Sequence, residues 1–322
     1  MDYAKEIING NQLAGARVIR FIEENNPKGI EVLKAIYPHA GKAFRIGITG
    51  PPGSGKSTLT DKVITEFRKK HVKVGVIAID PSSPYSGGAI LGDRLRMKSH
   101  ACDTGVFIRS MATRGQLGGL TRGIRETISV IEAMGYELII VETVGVGQDE
   151  VDIVKIVHSA AVVNIPGAGD SIQTMKAGIL ETGDIFIVNK ADKPGADQVA
   201  DQLQTMLQFR RPSPDQWNPP VIKTVALQNK GVNSLVQAFL SHKQYLINSG
   251  ELDQKKTDQQ TIYFQTLITS IATKMILNKT EKSSKYRALK KKLAKREIDP
   301  VSAAQEMVYE LSGHQEYLKF TP

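Results

Sequence analysis

The chain predicts an α/β protein: a mainly parallel β-sheet covered by helices on both faces, preceded by an N-terminal helical extension and followed by a C-terminal helical arm. Three observations carry this reading. Short β-branched, apolar runs at 46–49, 72–80, 105–110, 137–142, 160–165, 185–188 and 221–227 read as strands, and most are separated by stretches with helical periodicity. A glycine-rich octet, Gly50 to Ser57, sits between the first of these runs and a helical one. Beyond about residue 250 the strand pattern stops, and charged sequence of helical period takes over.

On this pattern the chain divides into an extension (1–42), an α/β domain (43–249) and an arm (250–322). In the extension, Leu13, Val18, Ile19, Phe21 and Ile22, then Ile30, Val32, Leu33 and Ile36, supply apolar faces of helices, with Asn26-Pro27 breaking the run. A cover packed on the main domain is the expected role. In the arm, Phe264, Leu267, Ile268, Ile271, Met275 and Ile276 form one apolar stripe between Gln260 and Leu277. Asp299-Pro300 reads as a helix start for a segment ending near Leu311. Such an arm would cap the domain or dock on a second subunit.

The octet Gly50-Pro51-Pro52-Gly53-Ser54-Gly55-Lys56-Ser57 fits G-x-x-x-x-G-K-[ST]. Its glycines let successive main-chain N–H groups point at a polyphosphate, and the N-terminus of the helix after it adds partial positive charge. Lys56 would reach the β- and γ-phosphates from a solvent-facing position, Ser57 would ligate Mg²⁺, and Thr58 continues the phosphate contact.

Two further strand ends deliver carboxylates. The run 72–80 closes on Asp80, followed by a Pro-, Ser- and Gly-rich passage to Asp93, and the two acids would order around Mg²⁺ and the γ-phosphate. Taken by itself, a loop aspartate such as Asp93 is more usually a turn or cap residue. The run 137–142 closes on Glu142, three residues before Gly145, the spacing at which an acid holds the metal through water and a glycine N–H meets the γ-phosphate. Gln148 and Glu150 are candidates for orienting water or for plain solvated loop positions, and Arg114, in a glycine-rich loop, is a candidate for gating.

Asn189-Lys190-Ala191-Asp192 follows the run 185–188. A carboxylate here accepts both N1–H and the exocyclic amine of guanine, which adenine cannot offer, while Asn189 and Lys190 hold the loop. Ala226-Leu227 begins a loop that would close over the base. GTP or GDP is therefore the expected ligand.

The totals narrow the rest. The 322 residues are 41% hydrophobic and 23% charged, ordinary for a soluble protein. A single cysteine, Cys102, excludes an intrachain disulfide and favours a reducing, cytoplasmic setting. No leader-like start and no long apolar run is read. The net charge of +9 is concentrated between Lys285 and Glu297, where Lys285, Arg287, Lys290, Lys291, Lys292, Lys295 and Arg296 face Glu297 alone. That is a solvated helix face and not a fold-wide nucleic-acid surface.

Taken in order, Lys56-Ser57, Asp80-Pro81-Ser82-Ser83, Arg114-Gly115-Gln116-Leu117-Gly118-Gly119, Glu142-Thr143-Val144-Gly145-Val146-Gly147-Gln148 and Asn189-Lys190-Ala191-Asp192 closely resemble the MeaB/ArgK family of P-loop GTPases, the bacterial counterparts of the human methylmalonic aciduria type A protein. Glu142, where Ras-like GTPases carry aspartate, is the most telling mark, and residues 167–178 match the family's additional switch, with Ala168 and Ser171 departing from it. The resemblance implies a SIMIBI-type P-loop fold and a dimeric GTPase chaperone. Its partner would be an adenosylcobalamin-dependent acyl-CoA mutase, usually methylmalonyl-CoA mutase, whose cofactor delivery it would gate and which it would protect from inactivation. It implies that Asp80, Asp93 and Glu142, with Lys56, form the catalytic set around Mg²⁺ and the attacking water, and that Lys176 lies in a switch completed by the partner.

Three rivals are weighed against it. A nickel-insertion GTPase would need clustered ligands, whereas His39, His71, His100, His158, His242 and His314 are scattered in the sequence. A small-molecule kinase, as in an older label tying relatives to basic amino acid transport, sits badly with a guanine reader. A dinucleotide oxidoreductase would need G-x-G-x-x-G after the first strand, which is missing.

Overall fold

The computed structural model describes residues 2–81, 98–100, 102–113, 119–143, 153–167, 182–209 and 216–312. Two compact units are present, Met1–Thr257 and Asp258–Pro322.

The first unit is built on a seven-stranded sheet: β1 (Phe44–Thr49), β2 (Val74–Pro81), β3 (Val106–Thr113), β4 (Leu138–Glu142), β5 (Ser159–Asn164), β6 (Ile185–Asn189) and β7 (Val221–Thr224). Every pairing is parallel, in the order β3-β2-β4-β1-β5-β6-β7. β4, β5 and β6 are buried throughout, which explains why their sequences read as unbroken apolar runs and not as alternating ones. Because β1 lies between β4 and β5, the connections from β1 to β2 and from β4 to β5 run to opposite sides of it, and a crevice opens at the carboxyl ends of these strands.

Alternate residues feed cores on the two faces of the sheet. Ile46, Ile48, Ile140, Val163 and Ile187 pack with Leu59, Val63 and Phe67 of α4 (Lys56–Lys69) and Leu235 and Phe239 of a later helix, Val232–Asn248. Ile77, Ile139 and Val141 point the other way, towards Ile124, Ile128 and Ile131 of α5 (Gly119–Ala133) and Ile7, Val18, Ile19 and Ile36 of the extension. The extension thus shares the core of the sheet, and truncating a residue such as Ile19 to Ala costs about 2–5 kcal/mol.

The extension comprises α1 (Tyr3–Ile8), α2 (Gln12–Glu23) and α3 (Pro27–Ile36), so the chain breaks at Asn9-Gly10-Asn11 as well as at Asn26-Pro27. Gly10 takes φ +84° and the Asn11 side chain accepts from the N–H groups of Leu13 and Ala14 at 3.0 and 3.1 Å, a fuller cap than the one Asn26 gives Lys28. After β6 come α6 (Ala196–Phe209) and α7 (Val232–Asn248), and then α8 (Glu251–Lys282), which begins in the first unit and continues into the second.

The second unit holds the rest of α8 with α9 (Ser284–Ala294) and α10 (Pro300–Ser312). Asp299 caps α10, accepting from Val301 and Ser302 at 2.9 Å each. Leu289, Ala303 and Met307 form a small core between α9 and α10. The apolar stripe of α8 is exposed: Phe264 is 63%, Ile271 55% and Met275 58% accessible. Among the described residues no helix is long and apolar enough to cross a membrane.

Candidate nucleotide site

The octet leaves β1 at Thr49 and enters α4 at Lys56, and two of its glycines are obligatory on steric grounds. At Gly50 (φ +139°) a Cβ would stand 2.2 Å from the Val163 carbonyl oxygen; at Gly55 (φ +86°) it would stand 2.5 Å from Asn189 Nδ2. Gly55 is also the N-cap of α4, and no side chain caps this helix end. The first-turn N–H groups are therefore not claimed by a capping side chain, the arrangement that suits a phosphate.

Lys56 corrects one expectation. It is only 6% exposed, and its ammonium donates to the carbonyl oxygens of Gly50 (2.8 Å) and Pro51 (3.0 Å) instead of facing solvent. The loop curls so that its own carbonyls converge on the ammonium, a geometry no sequence pattern reveals. Ser57 Oγ donates to Glu142 Oε1 at 2.6 Å, and both residues are buried. Two hard oxygen donors, one at the amino end of α4 and one at the carboxyl end of β4, suit Mg²⁺. Register puts Glu142 opposite Ile48 of β1 and Ala78 of β2, so Asp80 lies two residues beyond, at the same edge. The Asp80 side chain, Asp93, Gly145 and the switch residues Arg114, Gln148, Glu150, Ala168, Ser171 and Lys176 lie outside the described residues.

The loop after β6 is hydrogen-bonded directly to the octet. Asn189 Nδ2 donates to the Ser54 carbonyl at 2.8 Å, while Asn189 Oδ1 accepts from Thr224 Oγ1 (3.1 Å) and Ala226 N (3.2 Å). Lys190, at φ +56°, donates from Nζ to Gly53 O at 2.8 Å. Asp192 is exposed and Leu227 is 86% exposed, whereas Ala226 is buried. Gly50, Pro51, Pro52, Gly53, Ser54, Gly55, Lys56, Ser57, Thr58, Glu142, Asn189, Lys190, Asp192, Ala226 and Leu227 therefore all fall on the carboxyl edge of β1, β4, β6 and β7.

Sequence reasoning missed several hydroxyl groups here. Thr143 Oγ1 donates to Thr49 Oγ1 at 2.9 Å, tying the ends of β4 and β1, and Thr224 fixes Asn189. Ser54 Oγ is buried without a hydrogen-bond partner, a group whose desolvation is offset only when a polar ligand or a moved neighbour reaches it. A hydroxyl at the last residue of a strand was the available signal. Among the described residues, no three His, Cys, Asp or Glu side chains stand together as a metal cage.

The chain matches the family model described as methylmalonyl-CoA mutase-associated GTPase MeaB over residues 15–281, more than half its length. It is 46% identical over 309 residues to a putative GTPase of Pyrococcus abyssi, covering 94% of each chain. It is 34% identical over 275 residues to a methylmalonic aciduria type A homolog, mitochondrial, of Caenorhabditis elegans, covering 79% of this chain and 68% of that one. A solved structure described as a LAO/AO transport system kinase superposes with TM-score 0.72 at 25% identity, over 96% of each chain.

Proposed function

We propose, for a chain that belongs to the MeaB family of P-loop GTPases and so binds and hydrolyses GTP, that hydrolysis serves an adenosylcobalamin-dependent acyl-CoA mutase of the methylmalonyl-CoA type, whose cofactor loading it gates and which it protects. The observation that carries this reading is the family match, joined to a site whose phosphate and guanine ends are hydrogen-bonded to each other through Asn189 and Lys190. Such a joint site changes as a unit when nucleotide arrives, and a partner that prefers one arrangement will sense it.

In this reading Lys56 leaves the carbonyls of Gly50 and Pro51 for the β- and γ-phosphates, and the N–H groups of the loop and of the first turn of α4 hold the phosphate oxygens. Asp192 accepts from guanine, with Ala226 and Leu227 beside the base. Ser57 and Glu142, with Asp80 and Asp93, would hold Mg²⁺, which supplies neutralisation of charge on the transferring phosphoryl group. The exposed apolar face of α8 packs on a second copy of the chain, giving a homodimer; size-exclusion chromatography with light scattering of Phe264→Glu against the parent checks it.

The transport-kinase reading has one point in its favour, the description of a structure with the same fold. A kinase would need an acceptor, and the guanine-type loop does not favour it. The test measures GTP hydrolysis by the full chain alone and with a purified methylmalonyl-CoA mutase, with and without adenosylcobalamin. Acceleration of about tenfold or more by the mutase is expected, since ordering a site for phosphoryl transfer gains at least that much. An unchanged rate with every cobalamin mutase tried, or GTP-dependent phosphorylation of a basic amino acid, overturns the mutase role.

A further inference from the structure

The residues that would act on GTP leave one buried acid of α4 unused. Asp61 is 7% exposed and lies one turn beyond Ser57. Its Oδ1 accepts from Ser99 Oγ at 2.5 Å and lies 3.3 Å from His100 Nε2, while its carbonyl oxygen is 3.1 Å from the same ring nitrogen. Its Oδ2 meets Lys62 Nζ at 3.2 Å, and Thr65 Oγ1 completes the group, 2.9 Å from the Asp61 carbonyl and 3.5 Å from His100 Nε2. His100 is as buried as Asp61. An acid and an imidazole drawn out of water this far are retained against a desolvation cost of a few kcal/mol.

What the group holds is informative. Ser99 and His100 belong to a short 3-10 turn, Lys98–His100, and the chain between Pro81 and Lys98 carries Asp93. That stretch starts at Pro81, the carboxyl end of β2, three residues past Ala78, which faces Glu142, the partner of Ser57. Its other end is clasped to α4 one turn from Ser57. Both ends are thus fixed to the elements that carry Ser57 and Glu142.

We infer that Asp61 is a positioning residue for GTP hydrolysis: through Ser99 and His100 it sets where the chain returns from β2 against the phosphate-binding helix. It does not touch nucleotide. The inference rests on GTP hydrolysis by this chain, not on the identity of any partner.

Three full-length variants test it: Asp61→Ala, Ser99→Ala and Asp61→Asn, the last keeping an acceptor oxygen for Ser99. Turnover of GTP, affinity for GTP and affinity for a fluorescent GDP are measured for each, with the parent chain's hydrolysis as the control for the activity itself. A hydrogen bond to a charged acceptor is worth enough for about a 10–100-fold loss of kcat in the two alanine variants. GDP affinity should stay within about twofold, because the loop, Asn189 and Asp192 are untouched, and Asp61→Asn should recover most of kcat. Ser99 is exposed, so its loss leaves the fold intact and keeps the test open if Asp61→Ala fails to fold. Unchanged kcat in Ser99→Ala, or GTP and GDP affinities falling together in the variants, overturns the inference.

Discussion

The two edges of the sheet are both rich in buried polar groups, yet they handle them in opposite ways. At the carboxyl edge, the ammonium groups of Lys56 and Lys190 donate to main-chain carbonyls of the loop, at Gly50, Pro51 and Gly53. At the amino edge, side chains hold one another. Both ring nitrogens of His158 face donors of Arg45, Nδ1 the main-chain N–H at 3.1 Å and Nε2 the guanidinium at 2.6 to 3.1 Å. Glu132 adds its charge to Arg45 and accepts from Gly41 N at 2.5 Å, gripping the linker that enters β1. His242 meets Ser159 Oγ at 2.8 Å and packs at a tilt against Trp217, whose indole donates to Asp184 O. Exchange is possible at only one of the two edges: lysine on a carbonyl can move to a phosphate at small cost, whereas a buried charge deprived of its partner has nowhere to go.

The largest expected effect comes from breaking the amino edge. Arg45→Ala strips His158 of its guanidinium and leaves Glu132 buried beside no cation from β1, a change of the kind that costs about 3–5 kcal/mol. Thermal unfolding should fall steeply while the KM for GTP of the folded protein is unchanged. If KM rises in step with the lost stability, the two edges are coupled and the contrast fails.

At the carboxyl edge the pattern should invert. Lys56→Ala removes the cation that, in the proposed reading, moves from the Gly50 and Pro51 carbonyls to the developing phosphoryl charge; it should lower kcat by about 10²–10³-fold and the unfolding temperature less than Arg45→Ala does. Steady-state GTP hydrolysis and calorimetric unfolding on one preparation separate the two outcomes. Asp192→Asn is smaller. It trades a double acceptor for one acceptor and one donor, and guanine's advantage over adenine should shrink about 10–100-fold, read by competition with ATP and XTP.

The carboxyl edge was legible because its chemistry is written in local spacing. Gly50 and Gly55 are where contacts at 2.2 and 2.5 Å forbid a side chain, so a sequence pattern and a steric fact coincide. Asn189-Lys190-Ala191-Asp192 is equally local, and its role in holding the loop is visible as the bond to Ser54. The burial of Lys56 was not legible, since its acceptors are carbonyls brought together only by the fold of the loop. Nor was the amino edge: Arg45 and His158 are separated by scores of residues and meet through the β1-β5 register, and Glu132 comes from α5, neither of which a periodicity encodes. Histidines scattered in sequence turned out to include two, His158 and His242, that flank the same Lys255. The Asn9-Gly10-Asn11 break was hidden because apolar residues keep helical spacing across it, although Asn11 is a cap as plain as Asn26.

The smallest effect tests the amino edge without altering it, by titration. Burial, with the charges of Arg45, Lys256 and Lys255 next, holds His158 down to about 2; burial, then Lys255, holds His242 down to about 3, against an ordinary 6.5. Below pH 6.5 the unfolded chain binds protons at these rings and the folded one does not. Their contribution is therefore full above 6.5 and is lost as pH falls towards 3, by about 1.4 kcal/mol per pH unit for each ring. Glu132 works against this: burial raises its carboxyl, so its own contribution grows as pH falls through the raised value. Carboxylates elsewhere titrate mostly below pH 5, so the window between pH 6.5 and 5 belongs chiefly to the two rings. Unfolding temperature should drop by several degrees across that window, and His242→Gln should roughly halve the slope by removing one of the two rings. GTP turnover per folded molecule, measured at the same pH values, should not follow that slope, because neither ring lies at the carboxyl edge.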